Sequence, residues 1–419
     1  MTEQACSLRI VAVADTDSYV KWAAALLGAS HADARLVVLD TELAVSDAQL
    51  AAALHGTGLG VDRVERRSLD ELPDAIRGAD AVLAAARGPV ARVVARTAGR
   101  QDPRPVIATG LPGISLPATW LALHFRRECD LFVLHSRREI EAFEALARER
   151  GIDQRFALAT LPFARRAAHG RAAARGTDLV FAAQAIVPRE REDRLRLAGI
   201  LVDAARADPS RRVVLKLRGR PGEHQTHRED DALPDLVDEI GGAPDNLVVS
   251  YAPMAEALAT AEGLVTVSST AAIEAAARGV PVIALDAFGV SPELINVVFE
   301  GSGLLAGADD VAARRFRLPH AAWLADNYFH DPRDDSWEYT LTALVHRRRA
   351  GELPPRPEPR APGGRAREAW ERRVALGARD ETAAGRAAYA IGLPIRAVLR
   401  TWRRIRTRAR LAGARDAVR

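Results

Sequence analysis

The sequence predicts an α/β protein of two units, each a parallel, doubly wound sheet with helices on both faces, followed by a basic helical tail. Three observations carry this reading. Short apolar runs alternate with helical patterns through residues 1–166 and again through 178–349. Within most runs the apolar residues are consecutive rather than alternate, as strands buried on both faces require. Between the two series, Ala164–Thr177 (ARRAAHGRAAARGT) loses the strand pattern, which sets an interdomain linker at 167–177.

The first series opens with the strand Leu8–Ala14 (LRIVAVA), then Asp15-Thr16-Asp17-Ser18 and a helix through Gly28. Leu36–Leu39 is the next strand, and Ser46 is placed to cap a helix ending near Gly56. Ala81–Ala86, Pro105–Ala108 and Leu131–Leu134 are further strands, with helices at Val90–Ala98, Ala118–Arg127 and Arg137–Arg150. The second series has strands at Leu179–Ala182, Val213–Leu217, Leu247–Ser250, Leu264–Val267 and Val280–Leu285. Its helices fall near Glu190–Ala207, Met254–Glu262 and Thr270–Arg278. This rhythm gives two Rossmann-like units. Residues 320–349 read as helical with a break at Asp331-Pro332. Residues 350–419 form a tail: Leu353–Pro362 carries five prolines and reads as an extended spacer, and a last helix begins near Leu393.

Of 419 residues 48% are apolar, room for one large or two medium domains, but only 5% are aromatic, so Ala, Val, Leu and Ile must fill the cores. No apolar run approaches the roughly 18–20 residues of a membrane span. The start of the chain lacks a basic leader region, and Leu8–Ala14 reads as a strand rather than a signal peptide. Cys6 and Cys129 stand far apart, against a disulfide framework or a structural zinc site, and the expected compartment is the cytoplasm. Lys21 and Lys216 are the only lysines among 59 basic residues, so either lysine carries more functional information than an arginine does. Residues 351–419 hold 17 arginines against 7 acidic residues, whereas the first 350 residues carry a net charge of −6. The basic surplus belongs to the tail, which disfavours nucleic acid as a partner of the body.

Leu264–Leu285 (LVTVSSTAAIEAAARGVPVIAL) is the most informative stretch. A buried strand runs into Ser268-Ser269-Thr270 and straight into a helix, an arrangement whose free backbone N–H groups suit a phosphate. Glu274, one turn in, is placed to accept a ribose or sugar hydroxyl; the alternative is a simple helix cap with first-turn charge. Val213–Arg228 delivers Lys216, Arg218 and Arg220 into a loop, a candidate diphosphate clamp or a solvated basic turn. His224 and His227 in that loop make at most half a metal site, so no metal is assigned. In the first unit, Asp15 and Asp17 lie at the carboxyl edge of the sheet, where one can serve as general base, the pair can hold a metal-diphosphate, or Asp17 or Ser18 can cap the next helix. Gly110 and Gly113 permit close backbone approach at the same edge. His124 and His135 fall in apolar patterns and read as buried, satisfied histidines. Signatures of P-loop, nicotinamide and serine-elbow chemistry are missing.

Val180–Pro188, Lys216–His227, Leu264–Arg278 and Phe288–Leu304 resemble a bacterial family of glycosyltransferases of the GT-B type. The Lys216 loop followed by Ser268-Ser269-Thr270 is more distantly similar to capsule-polysaccharide, sialic-acid and polyol-phosphate transferases. The resemblance spans residues 8–345 and is strongest over 179–304. It departs from those distant relatives in lacking a His-Pro pair in the basic loop, which here reads Arg218-Gly219-Arg220-Pro221. It implies a nucleotide-sugar donor held by the second unit, a saccharide or lipid-linked cell-envelope acceptor held by the first, and no metal or other cofactor. The competing readings are a nucleotide-sugar 2-epimerase and a non-catalytic scaffold binding sugar nucleotides or glycans. In residues 393–411, Ile395, Val398, Leu399, Trp402 and Ile405 form an apolar stripe among arginines, a pattern suited to an anionic membrane surface. The expected location is then the inner face of the cell membrane, bound peripherally.

Overall fold

The computed structural model describes residues 7–164, 176–217, 231–353 and 364–394. The first unit has strands β1 (Arg9–Ala14), β2 (Asp33–Leu39), β3 (Val64–Arg67), β4 (Ala81–Ala85), β5 (Val106–Gly110), β6 (Leu131–Leu134) and β7 (Phe156–Leu158). Between them lie α1 (Asp17–Gly28), α2 (Asp47–Leu54), α3 (Leu72–Ala75), α4 (Gly88–Gly99), α5 (Trp120–Arg126) and α6 (Arg137–Glu149). All seven strands are parallel, in the order β3-β2-β1-β4-β5-β6-β7. Along β1, Ile10, Ala12 and Ala14 pack towards α1, while Val11 and Val13 pack towards α4. That two-sided burial is why the strand reads as a continuous apolar run. Ser46 caps α2 as its sequence suggests, in a reciprocal box with Gln49.

The second unit repeats the plan with β8 (Asp178–Ala182), β9 (Val213–Lys216), β10 (Leu247–Ser250), β11 (Ala261–Thr266), β12 (Val282–Leu285) and β13 (Leu305–Ala306). Its helices are α7 (Arg191–Ala207), α8 (Leu233–Glu239), α9 (Met254–Ala259), α10 (Ala271–Ala277), α11 (Ala308–Ala312) and α12 (Ala321–Asp326). The order is β10-β9-β8-β11-β12-β13, again parallel. Both sheets therefore reverse direction once, between β1 and β4 and between β8 and β11, and each reversal opens a crevice at the carboxyl edge. The helix expected over Met254–Glu262 stops at Ala259, because Ala261 already pairs with Asp178 in the sheet.

Two later helices join the first unit. In α13 (Trp337–Arg349), Trp337, Leu341, Leu344 and Val345 complete the core around α1 and β1, although the sequence groups this segment with the second unit. In α14 (Gly364–Leu376), Ala375 and Leu376 are buried with α4, and Glu371 accepts from Arg92 and Arg96 of that helix. The start of the expected tail is thus part of the body. Residues 383–394 are also helical. Most of the linker, the body of the proline-rich spacer and most of the 393–411 stripe fall outside the described residues. No helix among the described residues is long and apolar enough to cross a membrane.

Candidate functional site

At the switch point of the second sheet, the side chain of Gln184 faces Ser268. Gln184 Nε2 donates to Ser268 Oγ (3.1 Å), and the Ser268 N–H donates to Gln184 Oε1 (2.9 Å). Gln184 lies in the Val180–Pro188 stretch that carries the family resemblance, but no role is read for it from the sequence. Its loop is fixed from below by the buried Arg194, whose Nη1 donates to the carbonyls of Gln184, Ala185 and Pro188. Thr266 Oγ1 donates to the Ala182 carbonyl and accepts the Ser269 N–H, tying β11 to β8 at the crevice.

The hydroxyl run differs from its expected role in one respect. Ser269 Oγ accepts the Ala271 N–H (3.2 Å), and its carbonyl accepts the Ala272 N–H (3.0 Å). The amides of Ser268, Ser269, Ala271 and Ala272 therefore have partners inside the chain, and α10 is only seven residues long. What the turn offers a ligand is side-chain hydroxyls more than free amides. Lys216 ends β9 level with Ala182 of β8, buried on the same face of the strand as Val214, and its ammonium donates to the Leu217 carbonyl. Glu274 accepts from Arg278 one turn on (3.1 Å), so its carboxylate is engaged within the helix. Arg218 and Arg220, together with His224 and His227, lie outside the described residues.

At the switch point of the first sheet, Asp15 is fully buried, and its oxygens accept the Arg87 backbone N–H (3.1 Å) and Nε (2.7 Å). Burial raises its pKa above the ordinary carboxylate value, against the lowering effect of Arg87. Asp17 is the first residue of α1 and accepts from the Ser18 hydroxyl (3.3 Å). The capping position belongs to Thr16, which makes no side-chain cap bond, so neither Asp17 nor Ser18 is the cap.

The two carboxyl edges meet. A β-carbon on Gly113 would lie 3.0 Å from Thr270 Oγ1, so the loop after β5 touches the turn before α10. Pro162–Ala164 packs against both α1 and α10. Leu116 and Leu161 of the first unit share a core with Leu264, Phe299 and Trp323 of the second. Behind this seam Glu139, fully buried, accepts the N–H groups of Ser115 (2.8 Å) and His135 (2.9 Å) and the Tyr328 hydroxyl (2.7 Å). Gly110 serves packing rather than a ligand, since a β-carbon there would fall 2.4 Å from the Trp22 ring.

His135 accepts from Trp22 Nε1 (2.8 Å) and donates through Nδ1 to the Ala159 carbonyl (2.7 Å). It is a neutral, satisfied core histidine, with its pKa lowered by burial. His124 is held at about 4 by burial and by the Arg92 and Arg127 charges beside it. Among the described residues no three His, Cys, Asp or Glu side chains converge as metal ligands. A separate cavity of about 360 Å³ opens at the carboxyl edge of β2 and β3, lined by Leu39, Asp40, Val45, Arg66, Arg67 and Glu71 among others.

Two parallel sheets joined face to face at their carboxyl edges define a GT-B-like protein. Residues 10–344 match the family described as "Putative glycosyltransferase (DUF6716)", and the chain belongs to that family. Among solved structures, the chain is similar to a "putative UDP-N-acetylglucosamine 2-epimerase" of Listeria monocytogenes. That likeness has 11% identity and a TM-score of 0.53, over 84% of this chain and 98% of that one. It is also similar to the UDP-GlcNAc 2-epimerase of Methanocaldococcus jannaschii in complex with UDP-GlcNAc and UDP. There the identity is 12% and the TM-score 0.53, over 80% of this chain and 99% of that one. At such identities the likeness is one of fold. Among curated proteins none matches.

Proposed function

We propose that the protein transfers a sugar from a nucleotide-sugar to a hydroxyl of a cell-envelope acceptor, without a metal ion. The observation that supports this most is the close approach of Gly113, in the loop after β5, to Thr270, in the turn before α10, which sets the two carboxyl edges against each other. On the second wall, Lys216, Ser268, Ser269 and Thr270 receive the diphosphate, joined by Arg218 and Arg220, and Glu274 a sugar or ribose hydroxyl. Positive charge and hydroxyl donors there stabilise the departing diphosphate in place of a cation. On the first wall, Asp17 takes the proton of the acceptor hydroxyl as its oxygen bonds the anomeric carbon and the bond to the diphosphate breaks. Asp15 is closed in by Arg87 and orients that arginine rather than acting as base. The carboxylate-and-histidine set of a 2-epimerase is not favoured, because His135 and Glu139 are both engaged by the protein itself. Residues 393–411 hold the enzyme at an anionic membrane carrying a lipid-linked acceptor.

Calorimetry against UDP, GDP, CMP and CDP tests the reading. One of the four binds, and Lys216→Ala and Ser269→Ala each weaken it by about 1–3 kcal/mol, the scale of a hydrogen bond to a charged group. If none binds, or both variants bind as the parent does, the assignment fails. Donor hydrolysis above that of a boiled sample separates the enzyme from a binding scaffold.

A further inference from the structure

Two guanidinium groups meet a single carboxylate at the switch point of the first sheet. Among the charges acting on the buried Asp15 are those of Arg87 and Arg126, and the same two arginines act with Asp15 on the neighbouring Tyr19. Arg126 makes no ion pair in this cluster: it donates to the carbonyls of Gly110 and Ala86 and to the Tyr19 hydroxyl (2.8 Å). Asp15 is the partner of Arg87 alone, through Nε and the backbone N–H. Among these named groups, two guanidinium groups face one carboxylate, and the surplus is positive.

The surplus has a direction. Arg87 Nη2 is shut off from solvent and finds no acceptor among the described residues. A buried donor without a partner is costly and uncommon in native proteins. The Arg87 side chain as a whole is 24% exposed, so part of it is within reach of a ligand. Arg87 follows the carboxyl end of β4, beside β1, where ligands of parallel sheets bind. A neutral hydroxyl would leave the charge, whereas an oxyanion neutralises it and takes the planar fork of the arginine, the Arg87 side chain shifting to bring Nη2 to the ligand.

We infer that Arg87, oriented by Asp15, is the anchor of an oxyanion subsite in the first unit. The ligand is a phosphate or carboxylate group. It deepens the glycosyl-transfer reading and rests on it in one respect: if the donor diphosphate belongs to the second wall, this anion belongs to the acceptor.

Titration of the full chain with inorganic phosphate, and separately with acetate, followed by calorimetry and thermal unfolding, tests the subsite without any nucleotide. Stronger binding of phosphate assigns a phosphorylated ligand, and stronger binding of acetate a carboxylated one. Arg87→Gln weakens the preferred anion by about tenfold or more, the loss of one charged hydrogen bond. Asp15→Asn acts in the opposite sense and tightens it, because both arginines then lack a counter-ion. In a Lys216→Ala background, where phosphate held by the second wall is lost, the Arg87-dependent binding remains. Circular dichroism of each variant confirms that the chain is folded, and should Asp15→Asn not fold, Asp15→Ser takes its place. Two outcomes overturn the subsite: neither anion binding, or Arg87→Gln binding like the parent. Anion binding abolished by Lys216→Ala and untouched by Arg87→Gln puts the anion on the second wall and overturns it as well. Failure of all four nucleotides to bind, with Arg87-dependent anion binding intact, removes the transfer reading and leaves the subsite standing.

Discussion

Gly113 and Thr270 approach so closely that a single added methyl on the glycine would press on the threonine hydroxyl at 3.0 Å. Gly113→Ala therefore overpacks the seam between the two units and destabilises the protein by about 1 kcal/mol. Thr270→Ala in the same chain relieves the clash, so the double variant loses less than the sum of the single ones. Urea unfolding of the four proteins measures this, and strict additivity would show that the two residues are not in contact.

Glu139 is the buried carboxylate on which three donors converge, one of them from the second unit. Glu139→Ala strands the N–H groups of Ser115 and His135 together with the Tyr328 hydroxyl. At about 1–3 kcal/mol for each unsatisfied group, the loss should reach at least about 3 kcal/mol. Tyr328→Phe removes one donor and no acceptor, and should cost clearly less by the same unfolding measurement.

Asp17 is partly exposed at the start of α1, whereas Asp15 is closed in. Asp17→Asn should lower kcat by 10²-fold or more, the usual contribution of a general base, with nucleotide affinity nearly unchanged. Turnover should persist in EDTA. Activity lost in EDTA and restored by magnesium would make Asp17 a metal ligand, and unchanged kcat in Asp17→Asn would leave it without a catalytic role.

The folded protein keeps His124 neutral down to about pH 4, while the unfolded chain binds that proton near the ordinary value of 6.5. The unfolded state thus carries more protons between these limits, and stability falls as the pH drops from 6.5 towards 4. Burial lowers His135 in the same direction. Urea midpoints at pH 7.5, 6 and 5 should decline for the parent and decline less for His124→Gln. Equal slopes would remove His124 as a contributor.

Trimming the tail should give two different results. A chain ending at Gly351 loses α14, which exposes the α4 face now covered by Ala375 and Leu376 and leaves Arg92 and Arg96 without Glu371. Its melting temperature should fall by several degrees. A chain ending at Pro394 keeps that contact and should melt like the full chain while losing sedimentation with anionic vesicles at low salt. If the chain ending at Pro394 sediments as fully as the parent, residues beyond it are not the membrane contact.

The inner strands were legible because burial on both faces leaves no polar position in the run, as in Ile10–Ala14 or Leu131–Leu134. The strands that escaped are Val64–Arg67, Phe156–Leu158 and Leu305–Ala306. Each lies at an edge of its sheet, is short, or carries charge, which is how edges avoid pairing with other chains. The docking of α14 escaped for a related reason, since much of its contact with α4 is arginine against glutamate in a sequence where arginine is everywhere. Asp15, Ser268 and Thr270 were legible as positions at strand ends. Gln184 was not, because a lone amide has no pattern until β8 and β11 are seen side by side.

The return of α13 to the first unit means that the backbone crosses between the units twice, once after Ala164 and once between Tyr328 and Trp337. The segments that lead out of and back into the first unit are bonded to each other: Thr160 donates to Asp335 (2.9 Å), and Leu158 exchanges hydrogen bonds with Ser336. A body attached to another by two adjacent covalent threads cannot slide or twist freely. Thr160 and Asp335 tie the two threads together on the side of the first unit, so a displacement of the second unit would strain both at once.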